Sequence, residues 1–289
     1  MKNLIILILA FSSVFTANAQ ELRNYRLYFA DGKPASFNNI LEQSHKSDVV
    51  LFGEYHNNAV SHWLQLMLTK ELFTLKKENL ILGAEMFEAD GQLILDEYLA
   101  GFITEKNFID QARLWKNYST DYAPLVNFAK ENNLKFIASN IPRHYAAMVA
   151  REGFEALNKL SDIAKTYIAD LPIKYDANLD CYKAMLAMGG GMGRPANENL
   201  PKAQAIKDAT MAQFIFKNIS KNSLFLHFNG AYHSDNYESI YWYLKQLDKN
   251  LKILTITTIE QANIHKLEDE YLNRADFIIV VDENFTKTY

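Results

Sequence analysis

The sequence predicts an α/β protein with a mainly parallel sheet flanked by helices and with an inserted helical subdomain. Three observations support this fold class. Short apolar runs alternate with segments of helical periodicity, four of the runs end in polar clusters, and residues 139–223 contain no strand pattern. Strands that alternate with helices are typical of parallel sheets joined by right-handed crossovers. The carboxyl ends of such strands meet at one edge, where open α/β sheets build their sites.

Seven apolar runs bounded by turn residues are predicted as strands. They span residues 25–30, 48–52, 79–84, 134–138, 224–228, 252–257 and 277–281. Helices are predicted where apolar residues recur at three- and four-residue spacing, as between Val60 and Leu72. The other predicted helices span residues 36–43, 91–99, 105–115, 122–131, 146–159, 162–168, 179–188 and 202–218.

The long region without a strand pattern divides the chain into a core and an insertion. We expect an α/β core from residues 20–145 and 202–289, and a helical insertion from residues 146–201. The insertion contains the run Gly189-Gly-Gly-Met-Gly-Arg-Pro195. This run predicts a flexible hinge, because glycine-rich segments adopt many backbone conformations.

The first 19 residues have the three regions of a secretory signal peptide. Lys2 precedes an apolar run at residues 4–11, and Ala17-Asn-Ala19 predicts cleavage after Ala19. No later stretch approaches the roughly 20 apolar residues that a membrane span needs. The single cysteine, Cys181, allows no intramolecular disulfide and lies too far from the signal sequence to be a lipoprotein acylation site. We expect a periplasmic or secreted protein without a membrane span.

The charge balance argues against a nucleic-acid partner. The chain has 30 basic and 34 acidic side chains and a formal net charge of −4. No block of basic residues suits a phosphate backbone or an anionic membrane surface. The composition, 49% hydrophobic and 13% aromatic, is that of a globular protein large enough for a substantial core.

Five charged or imidazole side chains follow the predicted strands and are the candidate catalytic residues. They are Glu54, His56, Glu85, Arg143 and His233. The Gly-x-Tyr-His pattern that ends in His56 is repeated in the segment that ends in His233. Glu54, His56 and His233 are also candidate ligands for a divalent metal, because carboxylate and imidazole groups bind such ions. The same set suits proton transfer or an anionic substrate.

Structural roles remain open for some of these side chains. Glu85 and Arg143 could form an ion pair that fastens two loops, since a charge at the mouth of a buried strand needs a partner. His62, which lies within a predicted helix, and His227, which lies within a predicted strand, are both expected to be structural.

The predicted insertion carries tyrosines and methionines around Cys181. Tyr182, Met185 and Met188 recur at three-residue spacing and form one helical face, with Tyr175 nearby. This face is either the subdomain core or a surface for a flat apolar ligand. On the second hypothesis, Tyr175, Tyr182 and Met185 are the candidate cofactor-binding residues, because phenolate and thioether groups bind haem iron.

Motifs of one known family occur in order between about residue 48 and residue 240. They are Leu51-Phe-Gly-Glu-Tyr-His-Asn-Asn58, Glu85-Met-Phe87, Asp96-Glu-Tyr-Leu-Ala-Gly101, Tyr122-Ala-Pro-Leu125, Ala138-Ser-Asn-Ile-Pro-Arg143, Gln204-x-x-x-Asp208-Ala-Thr-Met-Ala212 and Asn229-Gly-Ala-Tyr-His233. Together these stretches resemble the ChaN-like haem-binding family of the Tiki, TraB and erythromycin-esterase superfamily.

The resemblance implies both a site and a function. In the superfamily, strand-end glutamates, histidines and an arginine form a central polar site, which some members use for hydrolysis. Those roles would fall on Glu54, His56, Glu85, Arg143 and His233. The ChaN branch is associated with haem binding at the cell envelope, including cofacial haems held between two protomers.

On this basis we expect an exported haem-binding protein in bacterial haem or iron uptake. The resemblance implies haem as cofactor, and a homodimer and the envelope haem-uptake machinery as partners. The alternative hypothesis is a hydrolase, metal-dependent or metal-free, that uses the cluster at the strand ends. We expect binding rather than catalysis.

Overall fold

The computed structural model describes residues 23–189 and 197–289. The predicted signal peptide and the predicted hinge from residue 190 onward lie outside the described residues. Within the two described ranges, no helix has the length and apolarity needed to cross a bilayer.

An eight-stranded sheet forms the centre of the molecule. Its strands are β1 (Tyr25–Phe29), β2 (Pro34–Ala35), β3 (Val49–Glu54), β4 (Leu80–Glu88), β5 (Lys135–Asn140), β6 (Leu224–Gly230), β7 (Ile253–Gln261) and β8 (Phe277–Asp282). Their spatial order is β2-β1-β8-β7-β3-β6-β4-β5. The six strands from β8 to β5 in this order are parallel, while β1 pairs antiparallel with both β2 and β8. The predicted class, an α/β fold with a mainly parallel sheet, is therefore confirmed.

Ten α-helices in the described ranges surround the sheet. They are α1 (Phe37–His45), α2 (Ala59–Lys76), α3 (Gln92–Leu99), α4 (Glu105–Gln111), α5 (Ala123–Glu131), α6 (Arg143–Glu152), α7 (Asp162–Lys165), α8 (Asp180–Gly189), α9 (Asn199–Asn218) and α10 (Ile240–Leu247). The helix predicted at residues 146–159 differs from the structure, because α6 begins directly after Pro142 and ends before Gly153. Gly153 has φ +81°, a left-handed conformation that stops the helix, and a 3-10 helix follows.

The two faces of the sheet pack against different helices. In β3, Val50 and Phe52 belong to the hydrophobic cluster that includes α2 and α5, whereas Val49 and Leu51 belong to the cluster that includes α6, α9 and α10. This alternation follows from the two-residue period of a strand. The next residue on the α2 side is Glu54, so its position in the strand aims the carboxylate at α2 and α5.

The register of the parallel strands brings the polar strand ends together. Glu54 pairs with Gly230 in the ladder between β3 and β6, and Ala84 of β4 pairs with Phe228 of β6. Beyond Ala84 the pairing of β4 with β5 shifts register, and Glu85 lies within this irregularity. The carboxyl edge of the central strands therefore gathers the residues that sequence patterns place at the strand ends.

Candidate functional site

A buried carboxylate on the α2 side of the sheet is the centre of the first network. Glu54 is 1% exposed and accepts hydrogen bonds from Tyr122 Oη at 2.6 Å, His56 Nδ1 at 2.9 Å and Gln65 Nε2 at 2.5 Å. Burial raises the pKa of Glu54, but the hydrogen bond from His56 and the charge of nearby His62 outweigh it and leave the pKa below its ordinary value. We infer an ionised carboxylate that holds the imidazole of His56 in one orientation.

His56 is the member of this network that reaches the surface. Its side chain is 31% exposed, and its ring packs edge-on against Trp115 with 4.8 Å between the ring centroids. Its backbone carbonyl accepts hydrogen bonds from Asn117 Nδ2 at 3.0 Å and His62 Nε2 at 3.1 Å. Although burial lowers the pKa of His56, the hydrogen bond to Glu54 raises it above its ordinary value. With Nδ1 bound to a carboxylate, Nε2 is the nitrogen left to interact with a ligand.

A second buried network lies on the α9 side of the sheet. His233 Nε2 is 3.2 Å from Glu85 Oε1, and His233 Nδ1 is 2.5 Å from Asp208 Oδ1. Tyr182 Oη donates to the other oxygen of Asp208 at 2.9 Å. Burial lowers the pKa of His233, but the charges of Glu85 and Asp208 raise it to about 10. Glu85 and Asp208 therefore favour the protonated form of this imidazole, while burial raises the pKa of Asp208 itself.

Gly230 is the point at which the two networks approach each other. Its backbone N–H donates to Glu85 Oε2 at 2.7 Å. A Cβ atom built on this glycine would lie 2.8 Å from His56 Nε2 and 3.4 Å from Glu85 Oε2. The ring of His56 thus approaches the backbone of Gly230 more closely than a Cβ atom permits, whereas Glu85 would be in ordinary contact with it.

An open pocket of about 430 Å³ lies over this junction. It is lined by backbone and by polar and aromatic side chains from the loops that follow β3 and β6 and from the segment that follows β8. The lining residues are Glu54, Tyr55, His56, Asn57, Gly230, Ala231, Tyr232, His233 and Tyr289. Its volume lies within the range of roughly 300–1,000 Å³ that is typical of small-molecule and cofactor sites.

The structure brings together four of the five predicted strand-end residues. Glu54, His56, Glu85 and His233 belong to the two networks, whereas Arg143 begins α6 and is exposed. Among the residues that the structure describes, no ion pair joins Arg143 to Glu85. The loop-fastening ion pair considered from the sequence is thus replaced by the contact of Glu85 with His233.

The predicted metal ligands are already engaged with each other or with acidic side chains. Glu54 binds His56, and both ring nitrogens of His233 contact carboxylates. In the described part of the chain, no three or more His, Cys, Asp or Glu side chains form a group able to hold a metal ion. The structure therefore gives no support to the predicted divalent-metal site.

The candidate haem contacts of the predicted insertion lie in packed surroundings. Tyr182 is fully buried with its hydroxyl bound to Asp208, and Tyr175 packs between the rings of Phe154 and Tyr182 at centroid distances of 5.6 and 5.4 Å. Met185 is half-buried on α8. In this conformation Tyr182 offers no free hydroxyl to iron, and it instead links α8 to the His233 network.

Sequence reasoning gave no site role to several members of the two networks, although Tyr122, Gln204 and Asp208 lie in the family motifs. Tyr122 and Gln65 complete the shell around Glu54, and Asp208 is the second carboxylate on His233. Gln204, one helical turn before Asp208 on α9, has its amide nitrogen 3.2 Å from His233. The available signal was the pairing of Gln204 with Asp208 at four-residue spacing, which places both on one helix face.

The fold and the site define an α/β protein with an open pocket at the carboxyl edge of a parallel sheet, beside a buried carboxylate–imidazole pair. The chain belongs to the family described as haem-binding uptake, Tiki superfamily, ChaN, whose model matches residues 40–244. No curated protein matches the chain.

Solved structures show the same fold. A structure of ChaN from Campylobacter jejuni, described as showing cofacial heme binding, is 18% identical with a TM-score of 0.69, and the match covers 90% of this chain and 98% of that one. A succinoglycan biosynthesis protein is 10% identical with a TM-score of 0.50, covering 85% of this chain and 90% of that chain. At these identities the likeness concerns the fold alone.

Proposed function

We propose that this protein binds haem in the pocket at the carboxyl edge, with His56 as the iron ligand. The observation that carries the proposal is the hydrogen bond from His56 Nδ1 to the buried carboxylate of Glu54. Metal-ligating histidines almost always donate their second ring N–H to a carboxylate, carbonyl or water, which orients the ring. Histidine is also a common axial ligand of haem iron.

The residues around His56 fit a flat aromatic group. Tyr55 and Tyr232 line the pocket, and Trp115 packs behind the imidazole. Aromatic rings provide large apolar contact areas for a planar ligand. The haem would supply iron with an open coordination position. Glu54 holds the imidazole of His56, and Gly230 leaves room for that imidazole.

Family membership supports the same ligand class. The family description names haem binding and uptake. The related ChaN structure is described by its cofacial heme binding. On the resemblance of the family motifs, the proposal extends to two haems held between two copies of this chain. Together with the apolar run at residues 4–11 and Ala17-Asn-Ala19, this supports an exported protein that handles haem or iron at the bacterial envelope.

Titration of the purified apo-protein with hemin tests this function. We expect a saturable Soret shift with defined stoichiometry, and an altered spectrum with weaker binding in His56→Ala. His45→Ala is the matched control, because His45 is exposed at the end of α1, ahead of β3 and thus at the opposite edge of the sheet. Unsaturable binding would refute haem binding, and an unchanged spectrum in His56→Ala would refute the ligand assignment.

A hydrolase is the second candidate, and the same pair of residues favours it. An imidazole that is oriented by a buried carboxylate at an open pocket can act as a general base toward water. Measured turnover of ester or peptide substrates that is lost in both Glu54→Gln and His56→Ala would support this activity. Absence of turnover across such a panel would reject it.

A further inference from the structure

A segment that follows β8 covers one side of the pocket. Residues 287–289, which we name the strap, pair with the loop that follows β3. Thr288 N–H donates to the carbonyl of Asn57 at 2.9 Å, and Lys287 forms an antiparallel bridge with Asn58. Lys287 is also ion-paired with Glu260, whose carboxylate accepts from Asn58 Nδ2 at 2.8 Å. The strap is thus attached to the same loop that carries His56.

The side chain of Thr288 attaches the strap to the interior of the site. Its hydroxyl donates to Asp121 Oδ2 at 2.8 Å, and Asp121 is 4% exposed. The same carboxylate oxygen accepts from Asn117 Nδ2 at 2.7 Å and lies 3.4 Å from His62 Nε2. Asn117 and His62 both donate to the backbone carbonyl of His56. The anchor of the strap therefore belongs to the group that positions His56.

This anchor leaves the next residue at the pocket. Tyr289 lines the pocket together with His56 and Tyr232, and it is 67% exposed. Burial raises the pKa of Tyr289, and so do the nearby negative charges of Glu54 and Asp121. The aromatic ring is thus available for contact with a ligand while the backbone of the strap is held in place.

We propose that Tyr289 is a specificity-determining wall of the His56 pocket and that Thr288 is the positioning residue that holds it there. The wall restricts access to His56 and packs its ring against the bound ligand. Residues 287–289 lie outside the range matched by the family model, so family membership assigns no role to the strap. The identity of the ligand rests on the proposed haem function, whereas the control of access to His56 does not.

Chemical modification tests control of access without any haem. Diethyl pyrocarbonate acylates accessible imidazoles, and peptide mass spectrometry gives the rate at His56 separately from the other histidines. We expect Tyr289→Ala and Thr288→Val to raise that rate about three- to tenfold at fixed pH. Thr286→Val is the matched control, because Thr286 is exposed two residues earlier and should leave the rate unchanged. Equal rates in wild type and both strap variants would overturn the proposal.

Hemin release tests contact with the ligand. We expect Tyr289→Ala and Thr288→Val to release hemin about three- to tenfold faster, and Tyr289→Phe to match wild type because the ring makes the contact. Unchanged release in both strap variants would overturn the ligand-contact half of the proposal. Absence of hemin binding by wild type, with His56 modification still responding to the variants, would reject haem binding and retain the strap. If Thr288→Val alone unfolds, Tyr289→Ala decides, since it removes only a mostly exposed ring.

Discussion

Substitution of Gly230 by alanine is expected to disable the pocket by displacing one imidazole. The backbone itself is no obstacle, because Gly230 has φ −55° and ψ 139°, which any residue adopts. The new methyl group would instead lie 2.8 Å from His56 Nε2 and 3.0 Å from His56 Cε1. The His56 ring is held by Glu54 on one side and packs against Trp115, so it can move away only by breaking its 2.9 Å hydrogen bond.

The steric overlap with His56 and the hydrogen bond that it breaks determine how much stability Gly230→Ala loses. Overpacking of a filled site costs roughly 1–3 kcal/mol, and loss of a charge-assisted hydrogen bond lies in a similar range of about 1.5–3 kcal/mol. We therefore expect Gly230→Ala to lower the free energy of unfolding by about 1–3 kcal/mol. We also expect it to weaken hemin binding at least about tenfold, because loss of the hydrogen bond that orients a metal-ligating histidine typically costs about 10- to 100-fold in metal affinity.

Chemical denaturation and hemin titration measure the two effects, and a double-mutant cycle isolates their cause. In the His56→Ala background the clashing ring is absent, so Gly230→Ala should cost much less stability than in wild type. Gly91→Ala is the matched control, since no atom lies within 4 Å of a Cβ at Gly91. Wild-type stability and hemin affinity in Gly230→Ala, or an equal cost in both backgrounds, would refute the close approach of His56 to this glycine.

Three further predictions concern the two networks and the buried His227 of β6. Glu54→Gln should weaken hemin binding by roughly 10- to 100-fold in titration, because the amide no longer provides a charge behind His56; an unchanged affinity would contradict this role. Burial lowers the pKa of His227 to about 4, so its contribution to stability is present above its ordinary pKa of 6.5 and is lost as pH falls toward 4. The loss amounts to roughly 3 kcal/mol, and denaturation at several pH values should show a shallower acid slope in His227→Gln; an identical slope would rule out this source. Tyr182→Phe should lower stability by about 1–2 kcal/mol through the lost hydrogen bond to Asp208, with the Soret spectrum of the hemin complex unchanged; loss of the Soret shift would instead assign Tyr182 as the iron ligand.

The parallel strands were predictable because most of their residues are buried on both faces of the sheet. Each of the seven predicted runs coincides with a strand of the sheet, and the two-residue β2 is the strand that the apolar pattern missed. Most strands extend past their apolar run into polar residues, as β3 does into Glu54. The apolar run ends where the strand reaches the polar edge of the sheet, but the backbone pairing continues for a few residues more. The apolar pattern therefore locates each strand and underestimates its length.

Helix boundaries and the site were predictable in part. The apolar periodicity continues past Gly153, although the positive φ of this glycine ends α6. The helix end was missed because periodicity contains no information about backbone angles. The strand-end residues Glu54, His56, Glu85 and His233 were found because topology alone assigns strand ends to one edge. Asp121 and Thr288 were not found, because they come from segments whose patterns indicate only ordinary helices and loops. Tyr122 was noted only as part of a family motif, without a role in the site.

The sequence by itself determined that a mainly parallel sheet forms, that its strands are buried, and at which edge polar groups collect. These features follow from the local pattern of apolar residues and from strand topology. Tertiary structure decided which of those groups are partners. Glu54 and Glu85 project to opposite faces of the sheet, so each carboxylate meets a different imidazole, one partly open to the pocket and one clamped by Asp208. The distinction between His56 and His233, which share the same Gly-x-Tyr-His pattern, depends on packed neighbours that are distant in the chain.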